Sequence, residues 1–412
     1  MKIFYNFKAW VICLISALFF LYEFVQINMF NAIDPYIIEA FQLNATKLGW
    51  LSSCYFYTTV GFLLPAGLIL DYFSPKRVIL ITLSTCIIGI AGFSFSNTIC
   101  FAIIFRLLEG IGSAFCFLGS FRIAANWFPA KRIAMVTGVI VTIGMLGGII
   151  AQTPLTFLVG YAGWRKALLI DAGFGIFILF LIFVFVQDSP NKGRDKYLLD
   201  ITEYWKKLRA VYLFKHNWFC GIYTCLLNLP LVLLGALWGN MYLENIYHFS
   251  HLQASNIIAM IFFGTIISSP LVGYISDFFS QRKIPMIIGG VLSIIFSIFI
   301  IYPINPSYHS FIVIFFLLGL FSGTQILGYP AAAEQNHSNL SGTSASVVSF
   351  TTMSGYIIFQ PLFGWIMDYK HPPVIINNTA TYSLESYQHA LMILPVFFIV
   401  AIFISFFLKK NY

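Results

Sequence analysis

Long apolar stretches make up most of the chain, and polar residues are concentrated in the short segments between them. A helix needs about 20 mostly apolar residues to cross the hydrocarbon core of a bilayer. Twelve stretches reach that length, at residues 9–32, 47–70, 77–96, 99–120, 134–159, 164–187, 217–243, 254–276, 284–303, 310–333, 342–366 and 387–408. The pattern therefore predicts an all-α polytopic membrane protein with twelve transmembrane helices.

Composition points to the same class. Hydrophobic residues make up 59% of the 412 residues and charged residues only 9%, whereas a soluble domain has about 25% charged residues. So few charges cannot cover a globular surface in water, which argues against a soluble enzyme, a nucleic-acid-binding protein and a disordered chain. The net charge of +8 is spread singly or in pairs between apolar runs, as expected of a multi-pass membrane protein.

Topology follows from the positions of the cations. If the N-terminus is cytoplasmic, 17 of the 23 Lys and Arg residues face the cytoplasm and 4 face the outside. The positive-inside rule then predicts that both termini are cytoplasmic. The first span carries Glu23 in its middle and has no small-residue cleavage site, so it is interpreted as a retained helix and not a signal peptide. The abundance of Phe, Ile, Lys and Asn is typical of an AT-rich genome. We therefore expect a bacterial protein of the inner membrane.

An internal repeat divides the spans into two groups of six. The segment from Gly67 through Asp71 to Lys76 and Arg77 follows span 2, and the segment from Gly273 through Asp277 to Arg282 and Lys283 follows span 8. These positions keep one offset of 206 residues. The repeat predicts an N-terminal six-helix bundle over 1–187, a basic cytoplasmic linker over 188–216 and a C-terminal bundle over 217–412. Repeats of this kind place a substrate site at mid-membrane between the halves.

The sequence GLILDYFSPKR at 67–77 resembles the signature of the loop between spans 2 and 3 in the major facilitator superfamily. Ser74 and Ser280 stand where that signature has its second glycine. RLLEGIGSAF in span 4 and TIGMLGGIIAQTPLTFLVGYAGWR through span 5 carry the same resemblance. WFPAKRIAMVTG is similar to the branch that includes the lysosomal dipeptide transporter and its bacterial relatives. The resemblance implies two six-helix bundles and transport by alternating access.

Ten residues near the cytoplasmic ends of spans are predicted to act in gating: Gly67, Asp71, Lys76, Arg77, Arg122, Gly273, Asp277, Arg282, Lys283 and Glu334. The resemblance implies that Asp71 meets the start of span 11 and that Asp277 meets the start of span 5. Arg122 and Glu334 lie at similar depths in the repeat-related spans 4 and 10, so they are predicted to pair. The alternatives are that the two aspartates only fix topology, and that Arg122 and Glu334 each extend separately to the interface.

Ionisable residues inside a span are costly and indicate function. Glu23 lies roughly 13 Å and Arg106 roughly 10 Å from the outer end of its span at 1.5 Å per residue, and Glu109 lies one turn beyond Arg106. Arg106 can pair well with only one carboxylate. The other carboxylate is then a candidate proton carrier, and Arg106 a candidate ligand for a substrate carboxylate. The alternative is a static Arg106–Glu109 pair, with Asp171 a structural or interfacial partner in span 6.

The C-terminal half offers neutral polar groups in place of charges. Candidate substrate contacts outside the charged group are Gln152, Asn228, Gln325, Tyr329 and Gln360, with Trp238, Asn240, Ser354 and Tyr356 at similar depths. Such residues suit hydrogen bonds or an ammonium–aromatic contact. The alternative is that each only joins neighbouring helices.

The function predicted from these features is secondary active transport of a small organic solute, favouring an amino acid or a short peptide, with a proton gradient as the candidate energy source. An exporter or facilitator of drugs or other metabolites is the alternative. The sequence has no Walker A, HExxH or GxSxG pattern, so an ATP-driven pump or an enzyme is not expected. We expect no cofactor, metal or nucleic acid, and a monomer whose partners are its substrate, protons and the lipid bilayer.

Overall fold

The computed structural model describes residues 2–188, 201–278, 281–336, 341–370, 374–376 and 379–408. Helices account for nearly all of these residues, and one short hairpin pairs β1 (Val374–Ile376) antiparallel with β2 (Thr379–Thr381). In the described part of the chain, nine helices are long and apolar enough to cross a membrane, and a bent pair makes a tenth. The predicted all-α polytopic architecture is confirmed, because each predicted span coincides with a helix or a run of helices.

The helices of the first six spans are α1 (Lys2–Asn28), α2 (Phe30–Phe41), α3 (Ala45–Tyr72), α4 (Pro75–Phe95), α5 (Ile99–Trp127), α6 (Ala130–Ala151), α7 (Thr153–Ala162) and α8 (Trp164–Phe185). Two of the predicted boundaries are corrected. The first span, predicted over 9–32, is interrupted at Met29, after which α2 begins. The fourth, predicted to end at 120, continues to Trp127 because the first helix-breaking residue is Pro129.

The remaining helices are α9 (Ile201–Leu213), α10 (Lys215–Leu227), a π-helix (Pro230–Trp238), α11 (Gly239–Tyr247), α12 (His251–Phe278), α13 (Lys283–Ile301), α14 (Tyr308–Ser322), a 3₁₀ segment (Gly323–Leu327), α15 (Gly328–Glu334), α16 (Ser341–Lys370), α17 (Leu384–Leu391) and α18 (Ile393–Phe407). The predicted linker 188–216 therefore includes a helix, α9. The span predicted over 217–243 bends by 42°, because Pro230 has no amide hydrogen to continue the helical ladder.

The chain divides into two compact units. The first unit comprises Met1–Tyr36 and Cys54–Tyr197, and the second comprises Ile37–Ser53 and Leu198–Tyr412. The start of α3 lies in the second unit because Asp368 accepts hydrogen bonds from the amide (2.9 Å) and the hydroxyl of Thr46. Tyr382 accepts a bond of 2.7 Å from the Ala45 amide. The later division of the chain falls within the predicted linker.

The internal repeat is visible in the packing of each unit. In the first unit the Thr59 hydroxyl donates to the Gly110 carbonyl at 3.1 Å, and in the second the Thr265 hydroxyl donates to the Gly319 carbonyl at 3.3 Å. Thr265 follows Thr59 by the same 206 residues as the sequence repeat. A side chain at either glycine would collide with a backbone carbonyl of the facing helix, that of Tyr55 in the first unit. Small residues at these points let the helices approach closely.

A second repeated contact joins the helix of the third span to the helix of the sixth span in each unit, α4 to α8 in the first and α13 to α18 in the second. The Lys76 ammonium donates to the Phe183 carbonyl at 2.6 Å and lies over the Phe183 ring. The Lys283 ammonium donates to the Phe406 carbonyl at 3.1 Å and lies over the Phe406 ring. Both lysines satisfy a carbonyl at the end of a helix, where no further turn supplies a donor.

The Gly110 contact makes a prediction about stability. Replacing Gly110 with Ala places a methyl group against the Tyr55 carbonyl, and we expect a loss of about 1–3 kcal/mol from overpacking. Gly61→Ala is the matched control, because no atom lies within 4 Å of the added carbon in α3. Thermal unfolding of the two purified variants in the same detergent would measure the difference. Equal midpoints for both would contradict the packing assignment.

Candidate functional site

Four ionisable side chains gather inside the first unit. Glu23 on α1 and Arg106 and Glu109 on α5 have no exposed surface, and Asp171 on α8 is 8% exposed. Within this group, one cation lies with three acids. Within a membrane such a group is costly unless its charges are paired or neutralised by protons. These residues form the candidate functional site, and we call them the acidic cluster.

Arg106 is held from several directions. Its Nη1 donates to Glu109 Oε2 at 2.5 Å and lies 3.3 Å from the Gln26 carbonyl. The guanidinium also lies over the rings of Phe30 and Tyr55, at 4.9 and 4.7 Å from their centroids. Aromatic faces attract a desolvated cation. Of the two carboxylates Glu23 and Glu109, the structure pairs Glu109 with Arg106, a choice that the sequence left open.

Glu23 is not the hydrogen-bonded partner of Arg106 but is held by two uncharged donors. The Tyr55 hydroxyl donates to Glu23 Oε2 at 2.5 Å, and the Cys86 thiol donates to Glu23 Oε1. Tyr55 therefore contacts Glu23 through its hydroxyl and Arg106 through its ring. The sequence does not indicate either contact, because Tyr55 and Cys86 reach Glu23 from other helices.

Asp171 joins the cluster through Gln26, whose side-chain amide donates to Asp171 Oδ2 at 2.6 Å. The sequence interpretation of Asp171 as a structural or interfacial residue is therefore incomplete. Arg165, six residues before it in the chain, instead donates to the carbonyls of Ser94 and Ser96. Asp34 on α2 is another buried carboxylate of the first unit. It lies just beyond the predicted end of span 1, so the search for charges within spans missed it.

Glycines make room for the cluster. A side chain at Gly89 on α4 would collide with the Glu109 side chain, and one at Gly112 on α5 would collide with the Cys86 sulfur. Gly89 of α4 thus faces the Glu109 side chain of α5, and Gly112 of α5 faces the Cys86 sulfur of α4. This close approach brings the Cys86 thiol to within 3.3 Å of the Glu109 carbonyl. The position of the thiol is fixed by backbone packing on both sides.

Gln152 lies at a break in its span. It is fully buried at the junction of α6 and α7, where its ψ of −103° is not helical. Pro154 lies in the first turn of the next helix, and Gly147 packs against the Leu21 carbonyl of α1. The glycine lets this span pack closely on α1, and the proline accompanies its break at Gln152. The proposed contact of Gln152 with substrate stays a prediction.

The neutral candidates of the second unit bond mainly within that unit. Asn228 is hydrogen-bonded to Tyr356, and Tyr329 lies 3.4 Å from the Ser349 hydroxyl. The Thr224 hydroxyl donates to the Gln325 carbonyl, and the Gln360 amide donates to the Val232 carbonyl in the π-helix. These contacts suit joints between helices. Their roles in substrate binding stay predictions.

The second unit has apolar residues where the first has its ion pair. Because Gly319 packs as Gly110 does, Phe315 and Leu318 occupy the positions that correspond to Arg106 and Glu109. Both are fully buried. Among the described side chains of the second unit, no Asp, Glu, Lys or Arg is buried. The buried charge of the described chain thus lies in the first unit.

The predicted gating residues are only partly described. Asp71 and Asp277 lie near the ends of α3 and α12, but their side chains fall outside the described ones. Gly67 and Gly273 lie in the same two helices. Glu334 accepts two hydrogen bonds from Arg282, at 2.7 and 3.1 Å, within the second unit. The pairing of Arg122 with Glu334 stays a prediction.

Ser74 explains a departure from the family signature. Its hydroxyl caps α4 by accepting from the Arg77 amide at 3.2 Å, and it donates to Asp188 at 2.5 Å. Asp188 also accepts from the Lys76 amide at 2.7 Å. Serine and aspartate are favoured at helix N-termini because they satisfy unpaired amides. Sequence reasoning did not identify Asp188, which follows α8 and lies 112 residues from Lys76 in the chain.

The family model of the Major Facilitator Superfamily matches residues 13–333 and 224–411. The chain belongs to the major facilitator superfamily. Among superfamily members, a probable sulfoacetate transporter from Cupriavidus necator is 26% identical over 184 residues, 44% of this chain and 41% of that protein. A phosphoglycerate transporter protein from Salmonella typhimurium is 25% identical over 300 residues, 65% of this chain and 63% of that protein. The chain thus matches less than two thirds of each relative's length.

A solved superfamily structure has the same fold. The structure of a bacterial homologue of the human lysosomal transporter Spinster, inward-facing and unoccupied, superposes with a TM-score of 0.80 over 97% of this chain and 96% of that chain. Sequence identity is 15%, so this likeness concerns the fold alone. Together with the family match, it shows an integral multi-pass membrane protein with the fold of the superfamily.

The ion pair in the acidic cluster makes a second prediction. Arg106→Gln leaves the buried acids without their cation, and we expect a loss of about 3–5 kcal/mol of stability. The double variant Arg106→Gln/Glu109→Gln removes both partners and is expected to recover at least half of that loss. Thermal unfolding in detergent measures both, with Arg209→Gln on the exposed face of α9 as the control. If the double variant were as unstable as the single one, the loss of stability would not come from leaving Glu109 without its cation.

Proposed function

We propose that the protein is a proton-coupled secondary transporter that carries a small organic solute with a carboxylate or similar anionic group, amino acids and short peptides being the favoured class. The observation that carries the proposal is the acidic cluster, in which Arg106 is buried among Glu23, Glu109 and Asp171. Three buried acids and one buried cation are most stable when protons neutralise part of the excess negative charge.

Glu109 is the acid best placed to exchange a proton. Its Oε2 accepts from Arg106, while its Oε1 is buried and has no hydrogen-bond partner among the described residues. A proton on Glu109 removes the negative charge that accepts from Arg106 Nη1. That nitrogen then donates to a substrate anion, and release of the substrate restores the Arg106–Glu109 pair. The proton and the anion therefore bind together and leave together.

The names of two relatives support an anionic solute. One is named for sulfoacetate and the other for phosphoglycerate, and a guanidinium binds sulfonate, phosphate and carboxylate groups through the same paired donors. Asn228 and Gln360 of the second unit stay proposed contacts of the solute. We further propose a monomer in a bacterial inner membrane, since both relatives belong to bacteria.

Proteoliposome uptake tests this function. The panel contains amino acids, dipeptides, small sulfonates and small organic phosphates, each with and without an inward proton gradient. We expect one anionic or zwitterionic class to accumulate at least tenfold with the gradient. Uptake that is equal with and without it would indicate a facilitator and overturn the coupling. Failure of every member of the panel would overturn the substrate class.

The variant Glu109→Gln distinguishes coupling to protons from movement of the solute across the membrane. In Glu109→Gln, we expect gradient-driven accumulation to fall at least tenfold, because the site no longer binds and releases a proton. Solute counterflow, which needs no net proton movement, is expected to persist. Glu39→Gln is the matched control, since Glu39 is exposed at the end of α2. Accumulation by Glu109→Gln at the level of this control would rule out Glu109 as the proton site.

A further inference from the structure

Cys86 occupies an unusual position for a cysteine in a membrane helix. It is fully buried on α4, and its sulfur lies between the Glu23 carboxylate of α1 and the Glu109 carbonyl of α5. A thiol has a single hydrogen, so it donates to only one of these two acceptors at a time. The stronger acceptor is the carboxylate when Glu23 carries its charge.

We propose that Cys86 is a positioning residue for proton exchange at Glu23. The thiol donates to Glu23 when that carboxylate is ionised, and turns to the Glu109 carbonyl when Glu23 takes up a proton. The inference rests on the proposed function and adds to it, because it makes Glu23, which lies beside the Arg106–Glu109 pair, a second acid that exchanges a proton and assigns Cys86 as the group that responds to that proton. No covalent change at sulfur is involved, only a rotation of the S–H bond.

The surroundings of the thiol support this assignment. Gly112 leaves the space that the sulfur occupies, and Gly89 leaves the space for the Glu109 side chain. The thiol is thus held between two helices by close backbone approach, while its hydrogen is able to turn about the Cβ–Sγ bond. A serine at position 86 would keep both acceptors within reach of a donor, whereas an alanine would supply none.

The other groups near Glu23 keep roles of their own. Its surroundings include Tyr55 from α3, Asp171 from α8, and Arg106, Glu109 and Cys116 from α5. Tyr55 donates to the second oxygen of Glu23, so it holds that carboxylate, and within the described part of the chain it makes no hydrogen bond to the Glu109 carbonyl. Cys86 differs because it contacts both Glu23 and α5.

Infrared spectroscopy of the S–H stretch tests the contact without depending on transport. The band of Cys86 is assigned as the one that Cys86→Ala removes. We expect it at lower frequency than the band of Cys116, whose thiol donates to the Ser113 carbonyl. Acidification, or Glu23→Gln, is expected to raise its frequency because the charged acceptor is lost. A band that neither change moves would overturn the proposal, whatever the protein transports.

The pH profile of uptake tests the consequence. In Cys86→Ala we expect the midpoint to move up by about one pH unit, because ionised Glu23 loses a donor and holds its proton more tightly. Cys86→Ser is expected to restore the wild-type midpoint. Cys116→Ala, a buried cysteine without a hydrogen bond to Glu23, serves as the control. In a Glu23→Gln background, Cys86→Ala is expected to cause no further shift.

These outcomes separate the two proposals. A pH midpoint in Cys86→Ala equal to that of Cys116→Ala would overturn the positioning role. So would a shift of the same size in the Glu23→Gln background, which would indicate a structural effect alone. If uptake does not respond to pH but the S–H band responds to Glu23→Gln, the coupled function fails while the thiol contact stands. Should Cys86→Ala not fold, the serine variant and the band of the wild-type protein still decide the contact.

Discussion

Arg106 and three buried acids share the interior of one helical unit, and no bulk water is available there to disperse their charge. Each charge needs either a partner or a proton, because an isolated ion in this environment costs several kcal/mol. The surrounding residues are arranged around this constraint. Gln26 supplies a donor to Asp171, and the aromatic rings of Phe30 and Tyr55 cover the guanidinium. The glycines on α4 and α5 provide the close approach that brings these groups into contact.

Tyr55 couples two parts of this arrangement through one side chain. Its hydroxyl donates to Glu23 and its ring lies over Arg106, so the carboxylate and the guanidinium are joined without a direct hydrogen bond. A change in the charge of Glu23 alters the polarity of the phenol, and with it the attraction of the ring for the cation. The charges of Glu23 and Arg106 are therefore linked through Tyr55, a side chain that stays uncharged.

Much of the fold was predictable because hydrophobic length and loop charge depend on the bilayer, and the bilayer is the same for every span. Glu23, Arg106 and Glu109 were identified for the same reason, since a charge within a span is visible in the sequence. The role of Cys86 was not, because a buried thiol looks like an apolar residue until its neighbours from other helices are known. The π-helix after Asn228 and the capping by Asp188 also depend on contacts between distant parts of the chain, which spacing alone does not encode.

The paired Thr–Gly contacts have a consequence for how such a protein diverges. Thr59 and Gly110 in one unit and Thr265 and Gly319 in the other hold the same helices together, yet the residues just before the glycines are charged in one copy and apolar in the other. On α5 and α14, the position that packs the helices together is therefore separate from the neighbouring position that carries a charged or an apolar side chain. Substitution at the positions before the glycine in either repeat therefore leaves the Thr–Gly contacts of both repeats unchanged.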